Sequence, residues 1–191
     1  MNYATLSLAD VRAGLDAIAR DAQSTFGALN APQLNWRPDA QCWSVAQCFD
    51  HLLSANRHMF AAADVALAPT SARTVWQRLP VLPGVFGKAL IRSQSPTSTK
   101  KYKAPAVAQP SASDIGGDVV QRFVKQKDDA IRRLETLDEG AAARIIMTSP
   151  FIRVIAYSVL DGWRLVVAHN RRHVEQARRV TEFSGFPLGE R

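Results

Sequence analysis

Four stretches of roughly 20 residues in this chain repeat their apolar side chains at three- and four-residue steps, a period that admits amphipathic helices and little else. The first runs between Leu6 and Leu29, with Leu8, Val11, Leu15, Ile18, Ala19, Ala22 and Phe26 on one stripe and Ser7 placed to cap it. The second opens at Ser44-Val-Ala-Gln47, the form of a capping box, and runs to about Leu67. A third, opened near Ser113 or Asp114, carries Val119, Phe123, Gln126, Ala130, Leu134 and Leu137 and is expected to stop at Asp138-Glu-Gly140, with Gly140 as C-cap. The fourth opens at Ser158-Val-Leu-Asp161 and reaches about Phe183. Between the last two, Ala141–Tyr157 fits either extended or helical structure, with Pro150 interrupting it.

Four such helices need one shared core, so the expected fold is all-α: a four-helix bundle with a long crossover connection between the second and third helices. A length of 191 residues, 47% of them hydrophobic and 21% charged, suits a single domain over 1–191. Asn30–Asp39, rich in Pro, Asn and Asp, reads as a connector. Residues 69–113 contain six prolines and a Ser/Thr/Lys run, a basic excursion with one short helix near Val85–Arg92.

The net charge of +7 comes mainly from residues 61–110, which carry seven basic side chains and one acidic. Its one dense cluster, Lys100-Lys-Tyr-Lys103, has neither a recognition-helix pattern nor repeated stacking aromatics, which argues against a nucleic-acid partner. No apolar run approaches the roughly 20 residues of a membrane span, and Met1–Asp10 lacks the charge and apolar pattern of a secretory signal. Two cysteines, Cys42 and Cys48, are too few for a disulfide scaffold and fit no zinc ribbon, so a reducing cytoplasm is the expected compartment.

Chemistry concentrates in the histidines, His51, His58, His169 and His173. His169 and His173 form an H-x3-H step on the fourth helix, which returns to within about 40° of the same face after about 6 Å. His51 lies on the second helix, and facing helices of a bundle are where side-chain metal sites are built. His58, two turns or roughly 10 Å beyond His51, stands too far along the helix to be a fourth ligand of the same ion.

Leu34-Asn-Trp-Arg-Pro38, Trp43-Ser-Val-Ala-Gln-Cys-Phe-Asp-His51-Leu52 and His169-Asn-Arg-Arg-His173-Val-Glu-Gln176, in this order and spacing, resemble the DinB/YfiT-like superfamily of metal-dependent four-helix proteins. The Lys-Tyr-Lys-Ala-Pro segment and the closing Gly-Phe-Pro extend the resemblance over nearly the whole chain. It implies a metal-binding triad at His51, His169 and His173, with zinc, nickel, iron or manganese as the divalent ion. It also implies activation of a thiol or water nucleophile, as in a thiol S-transferase or a hydrolase. The expected partners are a small-molecule substrate, in one reading a low-molecular-weight thiol, and a second copy in a homodimer. The alternative is a non-catalytic metal-binding or stress-related helical protein acting through a homodimer. Gln47 departs from the pattern, since relatives often carry an acid one turn before the first histidine.

Gln47 and Gln176 are the candidates to orient a ligand histidine through a hydrogen bond. Asp50 and Glu175 adjoin ligand positions but point about 100° away, as orienting groups or as surface charges. Cys48 is either a thiolate near the metal or a small buried hydrophobe. Trp36 and Trp43 are expected to pack across the bundle end, and Trp163 in the core. The arginines 171, 172, 178 and 179 form a solvated face, from which one guanidinium can reach an anionic substrate.

Overall fold

The computed structural model describes residues 2–69, 82–96, 104–112 and 114–187. Its long helices are α1 (Leu8–Phe26), α3 (Val45–Leu67), α5 (Val119–Glu135) and α7 (Val159–Thr181), with shorter helices α2 (Ala31–Asn35), α4 (Leu82–Ser93) and α6 (Glu139–Arg144) between them. Three of the four long helices begin where the sequence places a cap. Ser7 and Ser44 close capping boxes with Asp10 and Gln47, and the Ser158 hydroxyl accepts from Asp161 N.

α1, α3, α5 and α7 form the bundle, α3 lying against α5 and α7 and α1 against the same two. The expected stripe of α1 is buried in full, from Leu8 to Phe26. Phe49 binds three helices together: its ring meets Phe26 at 5.3 Å and Phe123 at 5.0 Å, both edge to face. Phe60 and Trp163 stack across α3 and α7 at 5.0 Å, so Trp163 is a core residue as expected. Asp21 of α1 receives Arg171 at 3.0 Å and Arg178 at 2.6 Å, which fastens α1 to α7 from outside the core.

The third long helix departs from expectation at both ends. Asp114 precedes the helix, Ser113 lies outside the described residues, and α5 begins at Val119 with no side-chain cap bond from Asp118. It stops at Glu135, and Gly140 is no C-cap: Asp138 starts a new helix there by accepting from Ala141 N at 2.7 Å. An acid followed three residues later by an apolar helix turn is an N-cap signal, and it outweighs the glycine. The connector at 30–39 likewise contains α2, started by an Asn30–Gln33 capping box.

The ambiguous stretch before α7 resolves into α6 and a two-stranded antiparallel sheet, β1 (Ile146–Thr148) and β2 (Ala156–Ser158), with Met147 opposite Tyr157. Gly162 lets α7 rest on this sheet, since a Cβ there would stand 2.7 Å from Met147 Sδ. Gly87 lets α4 approach the first turn of α7, where a Cβ would stand 2.6 Å from Asp161 Oδ2. Thus the described part of the excursion packs on the bundle, with α4 where one short helix was expected. Lys100–Lys103 lie outside the described residues. No helix among the described residues is long and apolar enough to cross a membrane.

Candidate metal centre

α3 and α7 face each other, and this pairing brings His51 of one to His169 and His173 of the other. Ring centroids are 5.1 Å apart for His51 and His169, 4.6 Å for His51 and His173, and 4.6 Å for His169 and His173. One nitrogen from each ring lies within 4.8 Å of the other two. His51 Nε2 and His169 Nε2 face each other at 3.2 Å. Two ligands each about 2.0–2.1 Å from one ion stand roughly 2.8–3.4 Å apart for angles between about 90° and 110°, so the spacing of the His51–His169 pair is that of two ligands of one divalent ion.

The outer nitrogens are already in use. His51 Nδ1 donates to the Ala108 carbonyl in the 3-10 turn Ala106–Ala108, and His173 Nδ1 donates to Gln176 Oε1 at 2.9 Å. Each bond keeps the proton on Nδ1 and leaves Nε2 as the lone-pair nitrogen, which is how histidine ligands are oriented in metal proteins. Burial lowers the pKa of all three rings. It is opposed at His51 by the Ala108 bond and Asp50, and reinforced at His169 by repulsion from His173 and His51. For His173, burial and then the neighbouring His51 bring the pKa to about 3 despite the Gln176 bond. Three imidazoles held neutral at physiological pH are in the form that binds metal.

Trp43 walls the cluster. Its ring lies 5.0 Å from His51 and stacks on His173 at 5.7 Å and 23°. Expected only to pack at the bundle end, it is the neighbour that the sequence reading missed. Its place directly before the N-cap Ser44 marks the helix entry, but which partner covers it depends on α7, some 120 residues away. Trp36 does pack at the bundle end, against Phe186 at 5.6 Å.

The other candidates divide clearly. Gln176 reaches a ligand histidine, whereas Gln47 is taken up by Ser44, whose N donates to its Oε1 at 3.1 Å, and by Ser111, to whose carbonyl it donates at 3.0 Å. Asp50 accepts from Ser111, and Glu175 pairs with Arg178 at 3.6 Å. Cys48 is fully buried, and burial pushes its thiol up to about 12, so it is the small hydrophobe of the two readings. His58 packs against Phe151 at 6.1 Å, away from the cluster. Of the arginines, 171 and 178 are paired with Asp21, and Arg172 donates to the Ser93 carbonyl at 3.0 Å at the end of α4.

No curated protein and no solved structure matched this chain. A family model did, that of the DinB superfamily, over residues 14–177, a span that holds all three clustered histidines. With the helical bundle and the facing histidines already established, the chain belongs to the DinB superfamily.

Proposed function

We propose that His51, His169 and His173 bind one divalent metal ion, and that the protein is a metal-dependent transferase or hydrolase acting on a small molecule. The observation that carries this reading is the pair of facing Nε2 atoms at 3.2 Å, with the Nδ1 atoms of His51 and His173 held by Ala108 and Gln176. Two neutral nitrogens at that distance otherwise share one hydrogen bond; a third histidine beside them completes a set of three ring nitrogens that could hold one ion.

When bound, such an ion supplies Lewis-acid charge and lowers the pKa of a thiol or water toward neutrality. Three protein ligands leave coordination positions open, as in catalytic rather than closed structural sites. The chain's own residues set the rest. Ala108 and Gln176 hold the rings of His51 and His173, and Trp43 presents an apolar wall beside them. That wall excludes water on one side and favours a substrate with an apolar or planar portion.

Metal analysis of purified protein under metal-replete conditions tests the core of this reading. Wild type is expected to carry one equivalent, and His51→Ala and His169→Ala none. Thiol addition to a generic electrophile, and hydrolysis of activated esters and amides, then test catalysis. Rates that do not change when the metal is stripped and restored would remove the enzyme reading.

A further inference from the structure

Helix α3 presents four polar side chains at positions 47, 50, 51 and 54, the i, i+3, i+4, i+7 spacing that lines one stripe. All four are bonded to a single segment of the crossover connection. Gln47 Nε2 donates to the Ser111 carbonyl at 3.0 Å, and Asp50 Oδ2 accepts from Ser111 N at 2.9 Å and Ser111 Oγ at 3.0 Å. His51 Nδ1 donates to the Ala108 carbonyl, and Ser54 Oγ donates to the Val107 carbonyl at 3.0 Å. As α3 advances from 47 to 54, its partners run back from 111 to 107. Ala108, fully buried, sits in the middle of the run.

His51 is therefore one of four anchors of this segment and one of three members of the histidine cluster. A neutral imidazole has two tautomers of similar energy, and a carbonyl can only accept. While the Ala108 carbonyl stays where it is, the proton stays on Nδ1 and Nε2 faces His169. If the segment shifts, both the tautomer and the ring orientation are released.

We propose that residues 107–111 are a positioning strap for His51. Asp50 and Ser54, through Ser111 and Val107, set the carbonyl that keeps Nε2 available, so strap docking and metal binding are cooperative. This rests on the metal reading above for its functional consequence. By linkage, the factor by which a docked strap tightens metal binding equals the factor by which metal tightens the strap.

The double variant Asp50→Ala/Ser54→Ala removes two anchors without touching a histidine. Zinc affinity, measured by competition with a chromophoric chelator, is expected to fall about tenfold, the scale of losing an outer partner of a ligand histidine. Asp50→Asn, which retains an acceptor oxygen, should recover most of that loss. Ser111→Ala, which leaves α3 intact, should weaken zinc binding in the same direction by a smaller factor. Asp64→Ala, which breaks only the surface pair with Arg133, should change nothing. In zinc-free protein, nitrogen NMR should show His51 as the Nδ1–H tautomer in wild type and as a mixture in the double variant. Amide exchange of 107–111 should slow on adding zinc to wild type.

A wild type that binds zinc, with a double variant within twofold of it, overturns the strap. A wild type that binds no zinc overturns the metal reading instead. The strap is then decided by the tautomer: a mixture appearing only in the double variant upholds it, and an unchanged His51 overturns it.

Discussion

Two polar groups are buried side by side along the α3–α7 seam, and they have opposite character. At one, the rings of His51, His169 and His173 are gathered together, and the Nδ1 protons of His51 and His173, directed to Ala108 and Gln176, leave the Nε2 atoms of those two rings with lone pairs. At the other, Asn56, Gln126, Lys127 and Asn170 crowd donors around few acceptors. Asn56 Nδ2 and Lys127 Nζ both reach Gln126 Oε1, at 3.0 and 3.4 Å, and Asn170 Nδ2 has no partner among the described residues. Lys127 is fully buried, over the rings of Phe123 at 4.6 Å and Phe60 at 5.7 Å, and burial lowers its pKa to about 7. The first group has lone pairs in excess and fits a cation; the second has protons in excess and repels one. Polarity inside a bundle is thus no guide to a metal site until the hydrogens have been assigned.

The sharpest break between the two is expected in metal binding. His51→Ala or His169→Ala should weaken zinc binding by at least about a hundredfold, since each removes a ligand. Lys127→Met should leave zinc affinity at wild type or raise it, because the ammonium opposes a nearby cation. Isothermal titration of the three variants reads both outcomes. A Lys127→Met loss as large as that of the histidine variants would erase the distinction.

Stability should separate them next. Replacing the buried Lys127 by Met, similar in length and without charge, is expected to stabilise the fold by ~1–4 kcal/mol at pH 7 in urea denaturation, as apolar replacement of buried charges often does. The pH windows differ as well. Lys127 titrates near 7 in the fold and near its ordinary value when unfolded, so the unfolded chain binds the extra proton between these values. Stability contributed at this position therefore rises from about pH 7 to about 10.4, and Lys127→Met should flatten that rise. The histidines are also lowered, so in metal-free protein the unfolded chain takes up protons first as pH falls below about 6.5. The metal-free fold should weaken on acidification from there toward the pKa of His173, about 3, and zinc should be released over the upper part of that range.

A smaller effect refines the histidine side. Gln176→Ala frees the outer nitrogen of His173 and is expected to weaken zinc binding about tenfold with little change in urea midpoint. His58→Gln is the smallest, with zinc affinity within twofold of wild type, because His58 contacts Phe151 and no member of the cluster. Both are read by the same chelator competition.

What was legible in the sequence follows from the range of the forces involved. Ser7, Ser44 and Ser158 start their helices where the sequence places them, because a cap is a bond between residues three apart. The α1 stripe is buried as its period demands. Where two local signals compete, the reading fails: Gly140 suggested an end, and Asp138 made a beginning. The H-x3-H pair is likewise a local fact, since one helix turn places both rings on one face.

The remaining decisions belong to contacts between distant residues. Local spacing did not determine that Trp43 stacks on His173, that Gln47 turns to Ser111 while Gln176 turns to a histidine, or that Ala108 holds His51. Sequence alone determined the four long helices, the caps of three of them and the residue types able to bind a metal, because propensity, capping and period act within a few residues. Only the tertiary structure decided which nitrogens of His51 and His173 carry protons and which face the cluster, because each of those protons is fixed by an acceptor whose position depends on how α3, α7 and the crossover segment pack.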